Sequence, residues 1–442
     1  TSGTLGTLYD ILSLGGENVK RIKLILLIIF CLIIFLTTNI FAESKIITES
    51  TIIIKNVNIV PMNEKKVLKN YSIVVENGEI SKIIKSKKLE ADQGNYVIDG
   101  TDKYIIPGLV DMHVHINGLS DLKLFLANGI TKVRNMKGSS GTLYMRKLVE
   151  EGDELGPEIL TTSPILDGNP PARQQARVLE KPKNATKAVK RYKESGYDYI
   201  KVYERLDKDV YNAIITEAKK QKISVVGHVP DKVGIRNVIE SGQKSIEHLD
   251  NYYSRNKGRI KKDMIGLTVK SNIWNCPTIV VYEGRNKYEN NSVEGLQYVP
   301  PLTRNLWKSN EYYNNYYQLN IKKVITKRLH DKGAKLLLGT DSNNPYTVPG
   351  FSVQRELELL VESGLSPYEA LKTGTYNAAK FLGNLNKEGT IEVGKTANLV
   401  LLNDNPLDRI KNTKKIAGVM LKGKWLNKNY IEEMLEKIPQ GW

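Results

Sequence analysis

Between Thr51 and Ile106 the chain runs in short stretches that alternate or are rich in β-branched residues (TIIIKNVNIV, YSIVVENGEISKII, YVID). Asn77-Gly78 and Asp99-Gly100 break them as turns, so this region reads as a set of short strands. The end of the chain repeats the pattern in IEVGKTANLVLLN (391–403) and IAGVMLKGKWL (416–426). Between these ends the rhythm changes. Eight short apolar runs occur at 109–115, 130–136, 158–166, 199–204, 223–228, 244–248, 273–279 and 335–341. The segments between them have helical spacing, as in DKDVYNAIITEAKKQ, where Asp207 stands at the start and Val210, Ile214 and Ala218 fall on one face. Strand and helix alternating eight times predicts parallel strands with crossover helices, most simply a (β/α)8 TIM barrel in the α/β class. The strand-rich ends predict one small β domain built from both.

Two segments stand outside this scheme. Tyr282 to Lys323, rich in Tyr and Asn, interrupts the count before the eighth strand, either as a cap over the strand ends or as a surface excursion. LSPYEALKTGTYNAAKFLG (365–383) reads as a helical run opened by a Ser366/Glu369 capping box with Pro at its first position and stopped by Gly383. Asn377 within it is a helix-packing polar group.

At the other end, Lys20, Arg21 and Lys23 precede the apolar run Leu24 to Leu36, and TTNIFA follows to Ala42. This is the pattern of a secretory signal ending near Ala42, with a retained N-terminal anchor as the alternative. Residues 1–18 lack its character and read as upstream sequence. The expected organisation is therefore upstream residues and signal over 1–42, β domain over 43–107, barrel over 108–388, β domain again over 389–430 and a C-terminal tail over 431–442. The expected location is exported: periplasmic, cell-surface or secreted.

Removal of the signal takes Cys31 with it and leaves Cys276 alone, which excludes an internal disulfide. The formal charge of +17 falls only to +16, since the signal region holds three basic and two acidic residues. Such a balance suits an anionic membrane or cell-wall surface, though a Lys-, Asn-, Ile- and Tyr-rich composition produces it without a selected partner. No basic helix with interleaved aromatics argues for nucleic acid.

The chain has only five histidines, and two of them fall in VDMHVHI. Alternate strand residues share a face, so His113 and His115 point the same way and can share a metal. His228 and His248 end the fifth and sixth runs, Lys201 lies in the fourth and Asp341 ends the eighth. In a barrel, the C-terminal strand ends converge on one face. Imidazoles with a carboxylate suit zinc, with iron, manganese or cobalt as alternatives. Lys201 is either a core lysine reaching solvent or an amine that has added carbon dioxide to become a carbamate. Asp111, one step deeper than the histidines, fits a supporting or core hydrogen-bonding role. Tyr203 shares the face of Lys201 and is either a buried tyrosine or a donor to a substrate carbonyl. Arg173, in GNPPARQQ, is either a solvated loop residue or the holder of a substrate carboxylate. His330 lies in a helical run and reads as surface.

The motifs IPGLVDMHVH (106–115), YIKVY (199–203), VVGHVPDKVGI (225–235), KSIEHLD (244–250), LLLGTDS (336–342) and GTIEVGKTANLVLLNDNPL (389–407), with the 365–383 run, resemble the amidohydrolase superfamily. The resemblance covers Ile52 to Leu426, is greatest to the imidazolonepropionase-like branch with its prolidase-type dipeptidases, and implies that the β domain of 43–107 and 389–430 is a small β-sandwich beside the barrel. It implies His113, His115 and Asp341 as ligands of one metal, His228 and His248 as ligands of a second, and Lys201 as a carboxylated lysine bridging both. Two departures stand out: Pro230, where many relatives have a second histidine, and Asn398, where Asp is usual. The resemblance further implies hydrolysis by a metal-bridging hydroxide, with Asp341 moving its proton to the departing amine. The expected substrates are dipeptides or small N-acyl amino acids cut at a C–N bond. Cyclic amides or lactones, or a non-catalytic exported metal-binding protein, are the alternatives. The chain as a homo-oligomer remains open.

Overall fold

A computed structural model of the chain describes residues 46–89, 96–249, 251–254, 259–283, 293–309 and 316–439. The expected signal and upstream residues lie outside these, as does part of the 282–323 segment.

Strands from the two ends of the chain share one sheet. Thr51–Ile59 pairs antiparallel with Leu68–Glu76, which turns back into Glu79–Lys85. Asn77 and Gly78 make that turn with φ of 51° and 84°, the left-handed conformation that tight hairpins require. The second Asp-Gly step does not make a hairpin. Tyr96–Asp99 and Tyr104–Pro107 on either side of it both run parallel to Thr51–Ile59. Leu399–Leu402 then pairs antiparallel with Tyr104–Pro107, and Ile416–Leu421 and Lys424–Asn427 extend the sheet. Ile54, Ile59, Ile73, Ile105, Leu399 and Met420 form its apolar core.

The middle of the chain is a succession of parallel pairings. The first three strands are Leu109–Val114, Ile130–Asn135 and Glu158–Thr161, hydrogen-bonded in order. A bridge from Thr162 to Tyr199 leads to the fourth, Tyr199–Val202, and then to Ser224–Gly227, Ser245–Glu247, Trp274–Cys276 and Lys335–Leu336. A bridge from Ser342 to Val114 returns to the first strand. The amide of Met112 bonds Leu338 O at 2.9 Å and that of Asp341 bonds His113 O at 2.7 Å across the same seam. Helices separate these strands and bury an apolar face against them: Lys208–Lys220 buries Val210, Ile214 and Ala218, the spacing its sequence predicts.

Three segments differ from the sequence expectation. The 365–383 run is two helices, Pro367–Thr373 and Tyr376–Leu382, although the capping box at Ser366 and Glu369 is present. Between them the carbonyl of Gly374 leaves the helix to accept the N–H of Val110 at 2.8 Å. A Cβ at Gly374 would run into Leu338. Strand three stops at Thr161, and Leu166–Asp167 pairs separately with Arg177–Val178. The expected tail begins inside a helix, Lys428–Glu436, whose Ile431 and Met434 pack on Leu126, Val419 and Leu426. Within the 282–323 segment, Val299 and Trp307 pack on Leu124, Tyr346 and Val348.

Candidate functional site

His113, His115, Lys201, His228, His248 and Asp341, with Tyr203 and Arg173, line one cavity of about 270 Å³ at the C-terminal ends of the parallel strands. Strand alternation carries His113 and His115 to the same side, and their rings lie 5.5 Å apart. The ring of His113 is also 4.6 Å from that of His248, which is 4.6 Å from that of His228. His248 and Asp341 turn out of their strands with φ of 64° and 59°, a left-handed backbone uncommon for residues with side chains and concentrated at functional sites.

Three of the four imidazoles are oriented from behind, while His115 Nδ1 is buried without a hydrogen-bond partner. His113 Nδ1 donates to Glu247 Oε2 at 2.9 Å, which leaves Nε2 as the lone-pair nitrogen. His248 Nδ1 meets Thr278 Oγ1 at 2.7 Å, and His228 Nδ1 lies 3.2 Å from Glu204 Oε1. Asp341 Oδ1 lies 3.2 Å from His113 Nε2 and 2.7 Å from His115 Nε2. Neither approach has hydrogen-bond geometry, so His113 Nε2 and Asp341 Oδ1 remain buried without a hydrogen-bond partner, as does Lys201 Nζ. Buried polar atoms in proteins are almost always satisfied, and such a cluster of exceptions fits the donor set of a metal site. His113, His115 and Asp341 bring their donor atoms within 4.8 Å of one another, as metal ligands do. His228 and His248 are not in that group, although His248 Nδ1 comes within 3.9 Å of Asp341 Oδ2.

Burial dominates the electrostatics. It lowers the pKa of His115 and lowers that of His248 further, favouring the neutral, ligating form. Burial also brings Lys201, which is 1% exposed, down to about 8, against the opposing pull of Glu247 and Asp341. Asp341 resists burial because the neighbouring imidazoles of His113 and His248 hold it well below the usual carboxylate range.

Other residues settle by contact. Asp111 does not line the cavity. Its carboxylate accepts the N–H of His113 at 3.2 Å and both the N–H and hydroxyl of Thr340, at 3.1 and 2.6 Å, so it ties the first strand to the eighth beneath the site. The Tyr203 hydroxyl accepts Arg173 Nε at 3.1 Å, and its ring stacks 4.0 Å from that of His228. His330 is outside, 3.5 Å from Glu369. Asn377 donates to Leu336 O at 2.9 Å, a packing role. Sequence reasoning missed Glu247 and Arg134. Arg134 is fully buried and donates to Glu247 Oε1 at 2.9 Å and to Met112 O at 2.6 Å, so the ion pair sets the carboxylate that orients His113. Charged residues inside the apolar runs ITKVRNM and KSIEH were the available signal.

Known proteins resemble the chain at several levels. Ochratoxinase of Aspergillus niger is 30% identical over 200 residues, 45% of this chain and 36% of that protein, so the match spans about a third of the relative's length. A 5-methylthioadenosine/S-adenosylhomocysteine deaminase of Caldanaerobacter subterraneus subsp. tengcongensis is 25% identical over 80% of this chain and 84% of its own. Among solved structures, a bottromycin amidohydrolase superposes with a TM-score of 0.74 at 23% identity, covering 89% of this chain and 93% of that one. A Xaa-Pro dipeptidase with bound methionine superposes at 0.69 and 20% identity, covering 86% and 100%. These structures share the fold. The amidohydrolase family model matches residues 104–426, from the strand that enters the parallel succession to the last strand of the shared sheet, and by that match the chain belongs to the amidohydrolase family.

Proposed function

We propose that the protein is an exported metal-dependent hydrolase that cuts the C–N amide bond of dipeptides or small N-acyl amino acids. The observation that carries this reading is the set of buried, partnerless donor atoms on His113, Lys201 and Asp341 facing one cavity with three further imidazoles. In this reading His113, His115 and Asp341 would hold one divalent cation, and His228 and His248 would hold a second. Lys201, buried and with its pKa brought down to about 8, is partly neutral near neutral pH. A neutral amine can add carbon dioxide and release a proton, and the resulting carbamate would supply two further oxygen donors for divalent cations. When bound, divalent zinc, iron, manganese or cobalt supplies Lewis acidity and an acidified water. Asp341 takes the proton of the attacking water and gives it to the leaving amine, because an amine anion leaves poorly. Tyr203 donates to the substrate carbonyl, and Arg173 holds a substrate carboxylate.

The same reading makes the closed succession of parallel strands a (β/α)8 barrel over 108–388, flanked by a β-sandwich from 43–107 and 389–430. It takes 1–42 as signal and upstream residues, which an intact mass of the exported protein tests. The imidazolonepropionases that match about a fifth of this chain favour hydrolysis of cyclic amides as the second reading.

The test is metal analysis of the purified protein followed by a library of dipeptides, N-acyl amino acids, cyclic amides and lactones. The expected result is bound transition metal and turnover of at least one linear amide, reduced by about a hundredfold to ten-thousandfold in Asp341→Asn with the protein still folded. A fully metallated protein inert to every compound would overturn the reading in favour of a binding protein.

A further inference from the structure

We infer that Glu356, which lies outside the cavity, is a positioning residue for His248: it holds the turn whose Thr278 orients that imidazole. This rests on the reading above in which His248 is a metal ligand, and it adds a residue that acts on the site only through others.

The helix Phe351–Glu362 turns an apolar face inward, with Val353, Leu357 and Leu360 buried, yet it also buries the carboxyl of Glu356 completely. A carboxylate inside a protein is costly unless hydrogen bonds compensate it. Here each oxygen accepts one backbone N–H, Oε1 that of Ile279 at 2.9 Å and Oε2 that of Val280 at 2.7 Å. These two amides come shortly after the seventh strand, Trp274–Cys276. The neighbouring Arg355 grips both oxygens of Glu283, so consecutive side chains of one helix fasten the 279–283 segment at both ends.

Directly before the fastened amides stands Thr278, whose φ of 50° is left-handed. A β-branched residue is seldom found there, and such a backbone persists only where its surroundings hold it. Thr278 Oγ1 lies 2.7 Å from His248 Nδ1. The backbone of His248 is fixed independently, its N–H donating to Cys276 O at 2.9 Å and its carbonyl accepting Lys322 Nζ. What remains to be set is the rotation of the ring, and Thr278 sets it. A ring tethered at Nδ1 leaves Nε2 to ligate. Loss of the Glu356 carboxylate frees the turn, Thr278 relaxes toward an ordinary backbone, and His248 loses its tether.

The experiment uses the full chain freed of metal, as wild type, Glu356→Gln, Thr278→Val and the double variant. Gln keeps the size of the side chain but turns an amino group against one of the two N–H donors. Glu356→Asp, which keeps the charge and shortens the reach, takes its place should Glu356→Gln not fold. Zinc is titrated against a chelating competitor. Wild type is expected to take up two ions, and each single variant should weaken one of them roughly tenfold to a hundredfold while sparing the other. Because both substitutions act through the same tether, the double variant should lose no more than Thr278→Val alone. A melting temperature that falls while both zinc affinities stay, or losses that add in the double variant, overturns the proposal. A second readout needs no metal. Isotope labelling of the five histidines gives NMR ring signals in the metal-free protein, that of His248 being the one missing in His248→Gln. That signal should move in Glu356→Gln as it does in Thr278→Val, with His330 unmoved. If wild type takes up fewer than two zinc ions, the two-cation reading fails separately and the ring signal decides: a shared shift supports the proposal, and a His248 signal unmoved by Glu356→Gln overturns it.

Discussion

Glu247 answers two demands at once: its carboxylate accepts His113 Nδ1 and is itself matched by Arg134, with the Ser245 hydroxyl 2.5 Å away. Burial alone would raise its pKa, yet Arg134 and His113 outweigh that and hold it below its ordinary value of 4.5. A carboxyl depressed in the folded state contributes stability that is present above the unfolded pKa and is lost as pH falls below it. Arg134→Met would leave this charge buried without its cation, at a cost of about 3–5 kcal/mol near neutral pH. The cost should shrink below pH 4.5, where the unfolded-state carboxyl becomes protonated. Denaturant unfolding of both proteins at pH 7 and pH 4 checks this, and an equal loss at the two pH values would refute the assignment. The histidines were legible in the sequence because alternation and strand-end position are local properties. The pair behind them was not, since Arg134 and Glu247 are 113 residues apart and meet only across the packed strands.

Elements were legible where a local period decides them and illegible where another element does. The helix Lys208–Lys220 follows from its own spacing, whereas the break at Gly374 exists because Val110 needs an acceptor there. The parallel placement of Tyr96–Asp99 and Tyr104–Pro107 likewise depends on Thr51–Ile59, and no dipeptide at 99–100 encodes it. Gly339, in the LLLGTDS motif, has the same character. A Cβ there would collide with Cys276 Sγ and stand 2.9 Å from His113 Cβ. The eighth strand can therefore approach the first only without a side chain at this position. Gly339→Ala should cost about 1–3 kcal/mol through overpacking and, by pushing His113 aside, weaken metal binding. Thermal unfolding together with competitive chelator titration reads both effects, and unchanged values in the two assays would show that the strands accommodate the methyl group freely.

For the molecule as a whole, the site sits on the seam where the parallel succession closes. His113 belongs to the first strand and His115 follows directly after it, and Asp341 follows the eighth; the chain between them comprises every other strand of the succession. The seam is joined by the Val114–Ser342 bridge, by backbone bonds between residues 112–115 and 338–342, and by Asp111 reaching Thr340. A cation held by these three ligands would fasten the two ends of the succession directly to each other. Binding that favours the folded state raises its stability, and the gain belongs to whichever opening releases the ligand. Chelation should therefore lower the melting temperature and, in native-state hydrogen exchange, loosen residues 110–116 and 337–342 well before the interior pairings such as Tyr199–Val202 with Ser224–Gly227. Restoring a divalent transition metal should reverse the effect at the seam. Uniform loosening across all strands, or none, would mean that the metal does not act as the clasp of the ring.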